Sequence, residues 1–375
     1  MIIVRRIDTQ STTDVNKFVS LPYRLYAGHP HWVPPLLVDA KMFLNQKKHP
    51  FYEHSTADFF VAEQDSRVVG RIAALENRRF NDYHGTQQAQ FYLFECEDDQ
   101  EVADALFERV FEWAQGRGLD TVVGPKGFSP FDGYGIQVEG FEHRQMITMM
   151  NYNYEYYPRL VGNLGFEKEV DFVSCYIQPS DFRLPERVHR IVERVEQRGV
   201  LQVLQLRNKH DLRTWAPSIG DAYNKAFVNN WEYYPLTERE IDFVLDTLML
   251  LANPRLLKLI LHEGEVVGFL FAFPDISAAM QRARGRLLPF GILDLLLEMR
   301  RTKWVSLNGV GILPEFQGQG GNALLYIEIE KTLQDFAFEH ADLTQVAETA
   351  VQMRHDLENV GARPYKNHRV YVRKL

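Results

Sequence analysis

The sequence predicts an α+β chain in which one fold occurs twice, and three observations carry that expectation. Two hairpin patterns recur: Asp58-Phe59-Phe60-Val61-Ala62-Glu63 leads into Arg67-Val68-Val69-Gly70-Arg71-Ile72-Ala73, and Leu257-Lys258-Leu259-Ile260-Leu261-His262 leads into Glu265-Val266-Val267-Gly268-Phe269-Leu270-Phe271. Short apolar runs parted by a few polar residues read as paired strands. At nearly equal distance each hairpin is followed by a helix ending on glycine, Gly165 or Gly361, and then a last strand; such self-similarity marks a duplicated structure. Finally, 375 residues at 45% hydrophobic and 25% charged suit about two compact domains.

The chain opens Met1-Ile2-Ile3-Val4-Arg5-Arg6-Ile7-Asp8, where charge interrupts the apolar run well short of signal-peptide length. No later run approaches the ~20 apolar residues of a spanning helix. The expectation is a soluble, cytoplasmic protein. Residues 21–56, rich in proline, histidine and aromatics, precede the first hairpin and lie outside the repeated core. The strand Gln90-Phe91-Tyr92-Leu93-Phe94 then runs through Glu95-Cys96-Glu97-Asp98-Asp99-Gln100-Glu101 straight into a helix over 102–116. Carboxylates at a helix start stabilise it by ~0.3–1 kcal/mol each through its dipole, and they repel phosphate. A loop crowded with turn formers covers 124–135, and Asn151-Tyr152-Asn153-Tyr154-Glu155-Tyr156-Tyr157-Pro158 reads as a polar aromatic surface or as packing. Pro179 and Pro185 mark a linker near residues 178–190, dividing domains 1–180 and 190–375.

In the second half Phe273 to Arg301 interrupts the repeat. It carries an apolar helix over 285–299 with basic residues at both flanks. This segment reads as a lid, an acyl-chain wall, a membrane-surface helix, or a helix packed on its own domain or on the other. After it come an apolar strand, Val305 to Leu313, a glycine-rich turn, Gln317-Gly318-Gln319-Gly320-Gly321-Asn322, and a helix. Glycine lets backbone approach a ligand, and a helix start offers unpaired N–H groups at the positive end of a dipole. With no carboxylate between Gln317 and Asn322, the turn can cradle a pyrophosphate. The first copy has no such turn, so a single cofactor site is expected, in the second half.

Gln317 to Asn322, preceded by a strand and Pro314, resembles the coenzyme A pyrophosphate loop of the GNAT N-acetyltransferase superfamily, Gln/Arg-x-x-Gly-x-Gly/Ala, with Asn322 in place of the last Gly/Ala. Leu21-Pro22-Tyr23-Arg24-Leu25-Tyr26, Trp32-Val33-Pro34-Pro35-Leu36, Val69-Gly70-Arg71-Ile72-Ala73-Ala74, Phe94-Glu95-Cys96-Glu97-Asp98-Asp99, Leu324-Leu325-Tyr326 and Gly361-Ala362-Arg363-Pro364-Tyr365-Lys366 resemble a bacterial family of tandem GNAT proteins over nearly the whole chain. The resemblance implies two GNAT-type domains, each a twisted mixed sheet flanked by helices, with acetyl-CoA or another acyl-CoA as co-substrate. It also implies a fourth strand that splays from the fifth, so that backbone of Gly311, Ile312 and Leu313 meets the pantetheine arm and the thioester carbonyl, with Gly309 and Gly311 permitting a bulge. The superfamily's tyrosine near the end of the fourth helix falls on Leu357, and its asparagine at that helix's start falls on Ala350.

Acyl transfer to an amine needs a polarised carbonyl and a deprotonated amine. Glu348, after the strand Leu343-Thr344-Gln345-Val346-Ala347, is the candidate base, directly or through water, or else a helix-capping carboxylate. Asp132 and Tyr134 are candidates to orient the amine in an acceptor wall built by the first domain, or else members of a tight structural turn. The expected acceptor is a small amine or amino acid. The alternatives are an aminoacyl or long-chain acyl transferase of the Fem or N-myristoyltransferase kind, or a non-catalytic acyl-CoA sensor. A net charge of −8 argues against nucleic acid as partner. Two cysteines, Cys96 and Cys175, are too few for a disulfide framework. His29, His31 and His143 lack metal-ligand spacing, and no metal is expected.

Overall fold

The computed structural model describes residues 1–146 and 150–375. Its first half runs β1 (Ile2–Arg6), α1 (Thr12–Leu25), α2 (Leu37–Met42), β2 (Thr56–Gln64), β3 (Arg67–Glu76), α3 (Arg78–His84), β4 (Gln88–Cys96), α4 (Gln100–Gln115), β5 (Thr121–Gly124), β6 (Ile136–Glu139), α5 (Tyr157–Asn163) and β7 (Glu167–Ile177). The second runs α6 (Glu186–Arg198), β8 (Gln202–Gln205), α7 (Lys209–Ala226), α8 (Glu238–Leu251), β9 (Lys258–His262), β10 (Glu265–Pro274), α9 (Ser277–Ala283), α10 (Gly291–Arg301), β11 (Trp304–Ile312), α11 (Gly321–Asp335), β12 (His340–Ala347), α12 (Val351–Asn359) and β13 (Arg363–Lys374).

Both expected hairpins are present, as β2–β3 and β9–β10. Each turns through two residues in the left-handed region, Asp65 and Ser66 in the first, Glu263 and Gly264 in the second. That conformation gives a two-residue turn whose twist matches the strands it joins.

The chain divides into two compact units that cut across sequence order. The first comprises Met1–Val173, Ser277–Leu296 and Lys366–Leu375; the second comprises Ser174–Ile276 and Leu297–Tyr365. Ser277–Leu296 and Lys366–Leu375 therefore lie with the first unit, although the sequence division at 180–190 puts them in the second half. Within the first unit, the end of β13 pairs antiparallel with β5, Tyr371 opposite Gly124 to Lys374 opposite Thr121. It also pairs with β6, at Asn367, His368 and Arg369. Within the second unit, the latter part of β7 neighbours β12.

The sheet of the first unit is covered on both faces. Alternate residues of β2 feed two cores: Phe60 and Ala62 join Phe91 and the α4 residues Leu106, Phe107 and Val110, while Phe59 and Val61 join Phe18, Phe51 and Phe128. The α4 positions recur at three- and four-residue steps, the signature of a helix with one buried face. In the second unit, Leu259, Val266, Phe269 and Phe273 pack with Leu212, Ile219 and Ala222 of α7.

Candidate functional site

In the second unit β11 has different neighbours along its length. It pairs antiparallel with β10 from Val305 to Ile312, but its parallel register with β12 runs only from Trp304 opposite His340 to Leu307 opposite Leu343. Beyond Leu307 the two strands part, as the resemblance implied. At the parting point Phe271 opposes Gly309 while Ala272 opposes Leu307, so Asn308 is the extra residue of a bulge. A Cβ on Gly311 would lie 2.6 Å from Phe269 Cζ, and one on Gly309 3.2 Å from Phe271 Cδ2. Those glycines make room for the stacked pair Phe269 and Phe271 on β10, and the bulge itself is one residue earlier.

Both amide atoms of Asn308 are buried without a hydrogen-bond partner. An unpaired buried amide costs about 1–3 kcal/mol and calls for an ordered water, a ligand or a reaction to account for it. Sequence reasoning passed over this residue; the available signal was a lone amide side chain in Val-Ser-Leu-Asn-Gly-Val-Gly.

Of the expected backbone contacts, the Leu313 N–H donates to Val267 O at 2.8 Å and so faces β10. Backbone groups alternate along a strand, which turns Gly311 the same way and Val310 and Ile312 toward the open edge. Ile312 O accordingly accepts from Gln317 Nε2, at 3.3 Å. Ile312 thus faces the open edge, together with Val310, which the sequence reading did not name.

The glycine turn is built by close approach. Gly318 and Gly320 sit at φ +74° and +92°. A Cβ on Gly320 would meet Val195 Cγ2 of α6 at 2.5 Å, and one on Gly321 would meet Ile312 Cδ1 at 1.8 Å. Gly320 is the N-cap of α11, and no side chain accepts from the first turn. Asn322, in the departure position, is the second helical residue and exposed, so it does not cap the helix. Gln319 Nε2 donates to Glu315 O at 2.7 Å and steadies the turn from within. The helix therefore has no side-chain cap on its first N–H groups, which lie at the positive end of its dipole. The corresponding helix of the first unit is closed: Asp99 caps α4, accepting from Glu101 N at 2.9 Å. Glu97 beside it is held by Arg24 and Arg67, both at 2.8 Å.

Where β11 and β12 part, polar side chains cluster. Asp342 is fully buried; Thr344 donates to it, Tyr365 Oη donates to it at 2.5 Å, and Ser306 Oγ lies 3.4 Å from it. Burial, and then the Asp342 carboxylate, push the Tyr365 phenol far above the ordinary tyrosine range, so it keeps its proton. Glu348 is half-buried in the two-residue turn between β12 and α12. The N-cap of α12 is Ala350, two residues later, with no side-chain cap bond, and Leu357 is buried. Phenols near these elements include Tyr365, Tyr326, which donates to Asp356 Oδ2 at 2.8 Å, and Tyr176, whose hydroxyl lies 2.7 Å from His340 Nδ1 on β12.

The remaining candidates, Asp132 and Tyr134, belong to the first unit. Asp132 Oδ2 accepts from the N–H groups of Phe128 and Ser129, at 2.7 and 2.8 Å. A Cβ on Gly127 would lie 2.3 Å from Asp132 Cβ, which explains glycine there. Burial pushes the Asp132 carboxyl up to about 6, against the lowering pull of those bonds. Tyr134 stacks on Phe172, centroids 4.7 Å apart. The same unit buries Glu95, whose Oε2 accepts from Tyr157 at 2.7 Å and from Tyr26 at 2.8 Å. Among the described residues no cluster has a metal-binding arrangement, and no helix is long and apolar enough to cross a membrane.

No protein-family model matches the sequence. Over 378 residues the chain is 29% identical to the bacterial ceramide synthase of Caulobacter vibrioides (strain NA1000 / CB15N), covering 98% of this chain and 97% of that one. It is 25% identical over 370 residues to Protein YghO of Escherichia coli (strain K12), covering 96% and 93%. Among solved structures, a tandem GNAT protein from the clavulanic acid biosynthesis pathway matches with a TM-score of 0.56 at 12% identity, over 100% of this chain and 98% of that one. A GCN5-related N-acetyltransferase from Sphaerobacter thermophilus matches with a TM-score of 0.52 at 13% identity, over 100% and 95%. Likeness at these identities is likeness of fold, and the chain has the tandem GNAT fold.

Proposed function

For a tandem GNAT chain with one open helix start, we propose an N-acyltransferase that draws a long acyl group from coenzyme A and delivers it to the amine of a long-chain amino alcohol. The observation that carries the transferase reading is the uncapped, glycine-built start of α11 beside the free edge of β11. Full-length likeness to a bacterial ceramide synthase supports a lipid acceptor, because a ceramide is the N-acyl amide of such an amine.

The acyl-CoA supplies the thioester: the amine nitrogen bonds to the carbonyl carbon, the carbon–sulfur bond breaks, and the sulfur leaves with the electron pair. The N–H groups at Gly321, Asn322 and Ala323 hold the pyrophosphate, with Gln317, Gly318, Gln319 and Gly320 shaping the turn beneath it. Val310 and Ile312 offer the backbone edge for the pantetheine amides. Asn308 brings an unpaired amide to the bulge, suited to orienting the carbonyl oxygen or the amine. Glu348 takes the amine proton, directly or through water. Asp132 and Tyr134 fasten their own loop, through the N–H groups of Phe128 and Ser129 and the ring of Phe172.

Incubation with acetyl-, octanoyl- and palmitoyl-CoA, each with a long-chain amino alcohol or a short polar amine, tests the proposal by product mass and thiol release. The expected product is the long-chain amide from palmitoyl-CoA. Acetylation of the short amine alone would replace this reading with that of a small-molecule acetyltransferase. Binding without turnover would make the chain an acyl-CoA sensor, the reading favoured by Leu357 and Ala350 at positions where the superfamily carries polar residues.

A further inference from the structure

The insert between β10 and β11 exposes apolar residues on a sharply defined surface. Leu288 and Phe290 are 78% and 74% exposed. On α10, Ile292, Leu293, Leu296 and Leu297 are exposed along one stripe, while Leu295 on the opposite side is buried. Steps of one, three and four residues put these leucines on a single helical face. A contiguous apolar surface of this kind marks an interaction site on a soluble fold.

The segment is held in place. Arg282 grips Asp294 with two bonds, of 2.8 and 2.9 Å, joining α9 to α10. The Gly285 carbonyl accepts from Leu37 N at 2.9 Å, and Gln281 Nε2 donates to the carbonyls of Pro30 and Trp32, both at 2.9 Å. The apolar stripe is therefore presented by a fixed frame.

Charge identifies what it meets. Between residues 282 and 303 lie six basic residues, Arg282, Arg284, Arg286, Arg300, Arg301 and Lys303, against two acidic ones, Asp294 and Glu298, in a chain of net charge −8. Arg284, Arg286, Arg300, Arg301 and Lys303 are exposed and bracket the leucines at both ends. A second copy of the chain fits poorly, since a two-fold contact through this patch sets like charges together. Arginine and lysine around a leucine and phenylalanine centre is the composition of a segment lying in a lipid interface, its cations on anionic head groups and its apolar face among the acyl chains.

We propose that residues 284–303 dock the protein on an anionic lipid surface. Arg284 and Arg286 also line a recess of about 1160 Å³ in the first unit, with Tyr23, Trp32 and Leu37 among its walls, so the docked segment adjoins that recess. The proposal does not depend on the acyl acceptor and is read without any turnover.

Co-sedimentation with vesicles of phosphatidylcholine mixed with phosphatidylglycerol, against vesicles of phosphatidylcholine alone, tests it. The full chain is expected to pellet with the mixed vesicles and to be released by high salt. Leu293→Glu with Leu296→Glu should abolish pelleting while leaving the melting temperature unchanged, since both sites are exposed. Arg300→Gln with Arg301→Gln should lower the partition coefficient roughly 25-fold, at about five-fold per charge. A wild-type chain that stays in the supernatant, or pelleting unaffected by the leucine changes, overturns the proposal. So does lipid-free self-association that the same leucine changes disrupt, which would make the patch a contact between copies.

Discussion

Gly320 is seated on Val195: at φ +92° its Cα leaves no room for a Cβ, which would lie 2.5 Å from Val195 Cγ2. The start of α11 is thereby fixed against α6, and the backbone rather than any side chain faces the anion. Gly320→Ala should cost about 1–2 kcal/mol of stability from the left-handed backbone alone. Gly320→Asp adds a negative charge where phosphate is expected and should abolish acyl-CoA binding by titration calorimetry. The wild type should give one site per chain, because Asp99 closes the start of α4. Two equivalent sites, or normal binding by Gly320→Asp, would remove the turn from the mechanism.

Asn308 should show the signature of a residue kept for function. Asn308→Ala removes an unpaired buried amide, so its urea midpoint should match or exceed the wild type's. Turnover should nonetheless fall roughly 10²–10³-fold, the scale of losing one oriented donor. A parallel loss of stability and activity would mark it as a packing residue.

Glu348→Gln keeps size and loses basicity. If Glu348 takes the amine proton, kcat should drop roughly 10²–10⁴-fold with acyl-CoA affinity unchanged, and raising the pH should restore part of the rate as free amine accumulates. Unchanged kcat would assign proton removal to solvent.

Asp132 supplies a pH test. Burial raises its folded pKa to about 6 from 3.8. Between those values the unfolded chain has released its proton while the folded chain still holds one, so this group's contribution falls as pH rises. Relative to Asp132→Asn, the wild type should lose roughly 1–3 kcal/mol between pH 4 and 6, read from urea midpoints. A flat difference would mean that the bonds from Phe128 and Ser129 outweigh burial.

Asp171 should behave in the opposite sense. Burial works to raise its pKa, but Arg369 at 2.8 and 3.0 Å, Asn367 and Lys168 hold it below the ordinary range. Its contribution is present above the unfolded pKa and lost as pH falls through the lowered one. Asp171→Asn should cost about 2 kcal/mol at neutral pH, between exposed and buried pairs, and little in strong acid. An equal cost at both extremes would mean that shape and not charge matters.

Local chemistry was legible in the sequence. Asp65-Ser66 and Glu263-Gly264 follow from turn preferences, and Gly318 and Gly320 announce a tight turn because few other residues tolerate their torsions. The bulge at Asn308 was not legible, since it depends on register against Phe271 and Ala272 across the sheet. The Asp342, Thr344 and Tyr365 cluster was missed because their sequence spacing says nothing about which strand lies beside which. The same blindness hid the partner of β13: its strand-forming residues read the same whether it pairs within its own repeat or with β5.

That pairing of Tyr371 with Gly124 has a temporal meaning. During synthesis β5 leaves the ribosome long before residues 366–375 exist, so its edge must wait while the whole second unit is made. Nascent domains ordinarily fold in turn, from the N-terminus; here the first to be made is among the last to be finished. An open strand edge held for that interval invites pairing with other chains until residues 366–375 arrive to cover it.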